Sequence, residues 1–262
     1  MKNTILLLIL IFSSIKTLAC SCNFKNIAQE YIDADFVGVV TIKKTYDNKN
    51  IQFENNIQRT YKADLVFEKI YKGKEFDALN IYGATKAEIA DGEELFFGGC
   101  DLFVEKGEKF IVILNKNKNN EYWVNQCSRL IYLSPDDHFD DESEKINSYS
   151  NLFTSIEKYK DHFSELKFVN FYDKTLVLDD RTNHLKSDFT KLKIKHPSEK
   201  IGFYKVTLND KMKISSISAI KKVGAKDQEI EKIIMKNLSL SDSQYAKNRS
   251  KELLLLLYFE DF

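Results

Sequence analysis

The chain has 262 residues, with 39 basic and 39 acidic side chains and a formal net charge of zero. That balance gives no electrostatic reason to expect nucleic acid or an anionic membrane surface as a partner. The length allows one large domain or two small ones around a sizeable core, and no apolar run after the first residues is long enough to span a bilayer.

Residues 1–19 read as a signal peptide. Lys2 supplies the positive start, Ile5 to Phe12 an unbroken apolar stretch, and Thr17-Leu18-Ala19 a small-residue cleavage site. Cleavage after Ala19 leaves 243 residues, with 37 basic against 39 acidic side chains, and makes Cys20 the first of them. The expected location is therefore secreted, periplasmic or at the cell surface. A lipid on Cys20 is disfavoured, because a lipobox wants Leu, Val or Ile where this chain has Thr17.

The four cysteines, Cys20, Cys22, Cys100 and Cys127, all lie beyond the cleavage point. An even count in an exported chain argues for two disulfides. A bridge between Cys20 and Cys22 would be strained, which leaves a parallel pairing (20 with 100, 22 with 127) or a crossed one. Structural zinc sites use paired CxxC knuckles, so the lone CxC here argues for disulfides over a bound metal.

Phe24 to Ile32 has the apolar spacing of a short amphipathic helix. Phe36 to Ile42 follows as a buried strand in which Gly38 suggests a bulge or bend. The Lys- and Asn-rich stretches Lys44 to Gln58 and Asn115 to Glu121 read as solvated turns. Tyr61 to Tyr71, Asp77 to Tyr82, Phe110 to Leu114 and Glu121 to Gln126 read as strands, with a tight turn at Gly98-Gly99-Cys100. Trp123, beside Cys127, is expected to pack in the core. Five or six short strands with turns between them predict a small antiparallel barrel.

Residues 134–165 change character. Asp136-Asp137 and Asp140-Asp141-Glu142 form an acidic run without the alternating spacing of a calcium loop, so a solvated linker is expected, followed by a helix from Glu144 to Tyr159. Beyond this boundary, residues 166–262 predict a small α+β unit. Lys200 to Leu208 and Met212 to Ile220 alternate as strands, Asp227 to Leu238 has helical spacing with Asp227 in a capping position, and Leu253 to Phe259 is a last buried strand. The expected fold class is mainly β plus α+β: a barrel with a short helix over residues 20–133, then a ββαβ domain.

The first half resembles the netrin-like domain of tissue inhibitors of metalloproteinases. Cys20-Ser21-Cys22 stands at the mature N-terminus, and a helix precedes Ala34-Asp35-Phe36-Val37-Gly38-Val39-Val40. Further matches are Lys69-Ile70-Tyr71-Lys72-Gly73, Gly99-Cys100, Gly107-Glu108-Lys109-Phe110-Ile111-Val112 and Cys127. The resemblance covers residues 20–129. It implies an OB-type barrel of five to six strands and disulfides Cys20–Cys100 and Cys22–Cys127. It also implies a partner, the zinc metalloprotease whose active site the N-terminal cysteine enters. There the main-chain amine and carbonyl of Cys20 would chelate the protease's zinc at its open position. Ser21 would point to the specificity pocket, with Gly98 and Gly99 supporting the same edge. Freeing the amine of its proton costs about 1–1.5 kcal/mol at pH 7. The chain departs from the family in having Asn23-Phe24-Lys25 where a Pro usually follows the CxC.

More faintly, Ile201 to Leu208, the strand after it, the Asp227 helix and the last strand resemble the C-terminal domain of TonB-type proteins, which implies a fold only. His138, His162, His184 and His196 form no ligand spacing, and no GxSxG, P-loop or GxGxxG is present, so neither an enzyme nor a cofactor is expected. The alternative to inhibition is an interaction module that docks another extracellular or periplasmic protein.

Overall fold

The computed structural model describes residues 22, 24–53, 56–85, 101–133, 141–163, 165–175, 177–179, 184–192, 201–240 and 251–258. The first element is helix α1 (Ile27–Asp33). It begins later than its apolar spacing suggests because Asn26 caps it, accepting from the Ala28 amide at 3.0 Å. Six strands follow: β1 (Phe36–Phe53), β2 (Asn56–Lys72), β3 (Leu79–Tyr82), β4 (Lys109–Leu114), β5 (Trp123–Val124) and β6 (Arg129–Tyr132). They form one sheet in the order β5-β3-β2-β1-β4-β6.

The topology curls this sheet. β5 pairs with β3 in parallel at one edge, and β6 pairs with β4 at the other. Only Asn125–Ser128 separates β5 from β6, so one short segment lies along both edges. The β1–β2 register shifts at Val37/Gly38 and again at Val39/Val40, and such bulges increase local twist. Gly38 is required there: a Cβ would stand 2.7 Å from the Lys69 carbonyl oxygen and 2.8 Å from the Phe36 ring.

Even-numbered residues of β1 and β4 point into the curl. Phe36, Val40, Ile42, Phe110, Val112 and Leu114 bury there with Tyr61, Ile81 and Tyr122. Phe36 meets Phe67 and Phe76 edge-on at 5.6 and 5.1 Å, a favoured ring geometry.

Of the stretch Lys44 to Gln58, expected as a solvated turn, residues 44–53 and 56–58 are instead the far part of a β1–β2 ribbon. Beyond Thr41 the strand β1 leaves β4 and pairs with β2 alone. Tyr46 to Asn50 are exposed on both faces, so this part of β1 has no reason to alternate apolar and polar residues, which is why the sequence hid it. Cross-strand charges line it instead, with Lys44 3.2 Å from Asp64 and Lys62 3.8 Å from Asp47.

Odd-numbered residues of the same strands build a second core outside the curl. Val37, Val39, Ile111 and Ile113 pack with Ala28 and Tyr31 of α1 and with helix α2 (Glu142–Tyr159). Asp141 caps α2 by accepting from the Glu144 amide at 2.7 Å. The acidic residues before it, 134–140, lie outside the described residues. The helix itself is no solvated spacer. Leu152, Phe153 and Ile156 are buried between the sheet and Phe163, Phe168, Ile201, Phe203 and Leu254 of the second half.

That second half carries β7 (Phe171–Asp173), β8 (Val177–Asp179), β9 (His184–Lys186), β10 (Ile201–Leu208), β11 (Ile214–Lys221), helix α3 (Asp227–Asn237), β12 (Leu238–Leu240) and β13 (Glu252–Tyr258). A three-stranded antiparallel sheet has the order β11-β10-β13, while β12 pairs with β7 and β8 with β9. Tyr204, Val206, Leu253 and Leu255 bury on one face of the three-stranded sheet with Ile230 and Ile234 of α3. Asp227 is not the N-cap. It is buried, and its Oδ1 accepts from the Tyr204 hydroxyl at 2.7 Å and the Val223 amide at 3.1 Å. Among the described residues no helix is long and apolar enough to cross a membrane.

Candidate functional site at the N-terminal segment

Of the residues singled out for partner binding, Cys20, Ser21, Gly98 and Gly99 lie outside the described residues, as does Cys100. Their described neighbours show how the ends next to them are held. Cys22 is bonded to Cys127, with an S–S distance of 2.00 Å and Cα atoms 5.1 Å apart. Cys127 sits in the turn between β5 and β6, so the cross-link fastens the start of the described chain to the segment that serves both sheet edges.

That turn is rigidly wired. The Asn125 side chain accepts from the Cys127 amide at 2.9 Å, the Ser128 hydroxyl accepts from the Asn125 amide at 3.0 Å, and the Ser128 amide donates to the Asn125 carbonyl at 2.9 Å. Small polar side chains that bond their own backbone favour such turns.

Next to the disulfide, Phe24, Lys25 and Asn26 are clamped from two sides. The Arg129 guanidinium lies over the Phe24 ring at 4.7 Å, donates to the Lys25 carbonyl at 2.9 Å and pairs with Glu30 at 2.6 Å. Glu30 in turn accepts from the Lys25 amide at 3.2 Å. From the second half, Asn170 donates to the Phe24 carbonyl at 3.4 Å and accepts from the Asn26 amide group at 3.2 Å. Gln29 of α1 accepts from the Phe168 amide at 3.0 Å. Arg129 is suited to this work because its planar fork can stack and donate in several directions together.

The chain that follows Cys100 is also tied down. The Tyr61 hydroxyl accepts from the Val104 amide at 3.0 Å and donates to the Leu102 carbonyl at 3.2 Å, while the Leu102 amide reaches the Tyr82 carbonyl at 2.8 Å. Burial pushes the Tyr61 hydroxyl well above the usual phenol range, so it stays a neutral hydrogen-bonding post.

A shallow cleft of about 270 Å³ opens beside the disulfide, lined by Lys25, Glu30, Asp33, Trp123 and Arg129 among others. Trp123 was expected in the core. Its ring instead lies 4.7 Å from Tyr82 and its indole N–H donates to Glu121 at 3.0 Å, at a half-exposed position on the short strand β5. Burial on one face only explains the difference: Val124, its neighbour, takes the inward position. A larger cleft of about 710 Å³ lies between Asp35, Lys62, Phe76, Asn80, Lys116 and Tyr122. Its charges are mixed, and the Asp35 carboxylate is already used by the Lys116 amide at 2.8 Å.

Sequence reasoning missed Arg129, Glu30 and Asn170. Arg129 stands two residues after Cys127, and that proximity to a cross-linked turn was its only signal. Among the described residues no group of three or more His, Cys, Asp or Glu side chains could hold a metal ion. What these contacts do is hold main chain still: the ionic groups face one another and the Lys25 carbonyl, while the Asn170 amide holds the Phe24 carbonyl. Compared with known protein families and with curated proteins, the chain matches none.

Proposed function

We propose that this is an exported barrel protein of the OB type, similar to tissue inhibitors of metalloproteinases, which acts by placing its mature N-terminal cysteine on the zinc of a target protease. In support of the barrel are the parallel β3–β5 pair, the antiparallel β1–β4 pair and the single segment along both edges. The order β11-β10-β13 with α3 against one face supports the fainter TonB-like reading of the second half, as a fold alone.

The observation that carries the functional reading is the anchorage of Cys22 together with the clamp on Phe24 to Asn26. A free chain end frays. An end that begins two residues before a cross-link, with hydrogen-bonded main chain behind it, meets its partner with less motion left to lose, and that saving appears as affinity. Cys20 would present a neutral amine and a carbonyl to the open coordination position, and Ser21 would enter the adjoining pocket.

The test compares the exported protein, checked by N-terminal sequencing to begin at Cys20, with the same chain carrying one added alanine before Cys20. Each is assayed against a panel of zinc metalloproteases. The extension should weaken inhibition on the order of a hundredfold or more. Equal potency of the two, or inhibition by neither, rejects chelation and leaves the interaction-module reading.

A further inference from the structure

The three-stranded sheet treats its two edges differently. At the β13 edge, the Val169 amide donates to the Leu254 carbonyl at 3.1 Å and the Leu254 amide to the Lys167 carbonyl at 3.1 Å, so residues 167–169 cover it. At the other edge stands β11, and among the described residues no strand pairs with its outer side. Its sequence, Ile-Ser-Ser-Ile-Ser-Ala-Ile-Lys, has no proline and no charge before Lys221, and register shifts at Ser215 and Ile220 bracket an unbroken pairing with β10 from Ser216 to Ala219. Exposed edges are usually blunted by mid-strand charges, bulges or proline. Between its two bulges, Ser216 to Ala219 carries none of these.

Helix α3 runs beside that edge. Gln228, Glu231, Lys232 and Met235, spaced to share one helix side, face Ser216 and Ile217 across a groove of about 770 Å³. Met235 is exposed and Ile217 only partly covered, so the floor is apolar. A strand edge with a helix alongside can take an extended segment: the strand supplies main-chain hydrogen bonds and the groove takes alternate side chains.

The charges select the occupant. Lys232 and Lys236 stand on the helix lip with one acid, Glu231, between them and the groove, and Lys213 and Lys222 stand beside the two ends of β11. None of these four lysines is in an ion pair among the described residues. The other acids nearby are Glu229, paired with Lys226, and Asp188, paired with Lys191 and also felt by Lys236. A second copy of the chain fits poorly, because antiparallel pairing of two β11 strands about Ile217 sets Lys213 of one opposite Lys221 of the other, and like charges facing across strands repel. We infer that the β11–α3 groove binds an extended segment of another protein, with small or β-branched apolar residues at alternate central positions and acids at both ends, as a fourth strand of this sheet. The inference stands apart from the N-terminal reading and holds whatever Cys20 does.

The probe is a fluorescein-labelled, end-blocked octapeptide with two acids at each end and alternating threonine and valine between them, titrated against the full exported chain. A second peptide carries N-methyl groups on alternate central amides. Binding should perturb the backbone amides of Ser215 to Ala219 and of α3 in the nitrogen-15 spectrum. The N-methylated peptide and the charge-reversed variant Lys232→Glu with Lys236→Glu should each bind about tenfold or more weakly, and the variant should regain affinity for a peptide with lysines in place of the acids. Both substituted positions are on the helix surface, so far-ultraviolet circular dichroism should be unchanged. Failure to bind at about 1 mM peptide, equal binding of the N-methylated peptide, perturbation along β13 instead, or a concentration-dependent dimer protecting Ser215 to Ala219 would each overturn it.

Discussion

The two larger sheets of this protein are built from similar strands and finish them in opposite ways. The six-stranded sheet has both edges occupied by Trp123 to Tyr132, and the turn in the middle of that segment is cross-linked to Cys22. The three-stranded sheet has one edge covered by residues 167–169, and at the other edge β11 pairs with no further strand among the described residues. Edges are where sheets recruit other chains. The first half is therefore organised to keep its own segments in place, including the one that precedes α1, and the second to accept an addition.

The largest expected effect tests the closed side. Replacing Cys22→Ser together with Cys127→Ser opens a link across 105 residues and leaves no unpaired thiol from that bridge. The chain-entropy model puts the loss at about 4–5 kcal/mol. Guanidinium unfolding of the double variant under non-reducing conditions should show it as a lower midpoint. An unchanged midpoint would mean that hydrogen bonds of the Asn125–Ser128 turn and the Arg129 clamp close the sheet unaided.

Next comes the seam between the two halves. Phe153 of α2 is fully buried, stacks on Tyr31 at 5.0 Å and meets Tyr71 at 5.0 Å, in a core that also holds Phe203 and Leu254. Phe153→Ala should cost about 3–4 kcal/mol. Because both halves share this core, the wild-type chain should unfold in one step and the variant should begin to separate into two transitions, as followed by Trp123 fluorescence and far-ultraviolet circular dichroism. A single transition with a loss under about 1 kcal/mol would show that the halves cohere through other contacts.

Much of this plan was legible in the residues. Strands buried on both faces, such as Phe110 to Leu114, announce themselves as unbroken apolar runs, and α3 shows its spacing in Ile230, Ile233 and Ile234. The far part of β1 was not legible, because from Lys43 to Asn50 only Tyr46 breaks a polar run. β5 and the strands β7, β8 and β9 are two or three residues long, too short for any period to show. Asp227 looked like a helix cap because its type and position suit one, yet tertiary packing turned it inward to Tyr204. At the candidate site the cysteines were legible and the clamp was not: Arg129, Glu30 and Asn170 are ordinary polar residues whose meeting depends on long-range folding.

The smallest effect concerns how the seam responds to alkali. Burial first, then the charge and hydrogen bond of Glu157, push the Tyr31 hydroxyl up to about 12. An unfolded tyrosine gives up its proton near pH 10. Between about pH 10 and 12 the folded chain therefore holds a proton that the unfolded chain has lost. The stability linked to this group is full below pH 10 and falls as pH rises through the folded value. Tyr31→Phe keeps the ring on Phe153 and removes only a long 3.4 Å hydrogen bond, so near neutrality it should change stability by less than about 1 kcal/mol. Urea midpoints measured from pH 9 to 12 should fall less steeply for the variant. Parallel curves would mean that the alkaline loss belongs to other tyrosines whose hydroxyls burial also raises, among them Tyr71 in the same seam, Tyr61 within the curl and Tyr204 against α3.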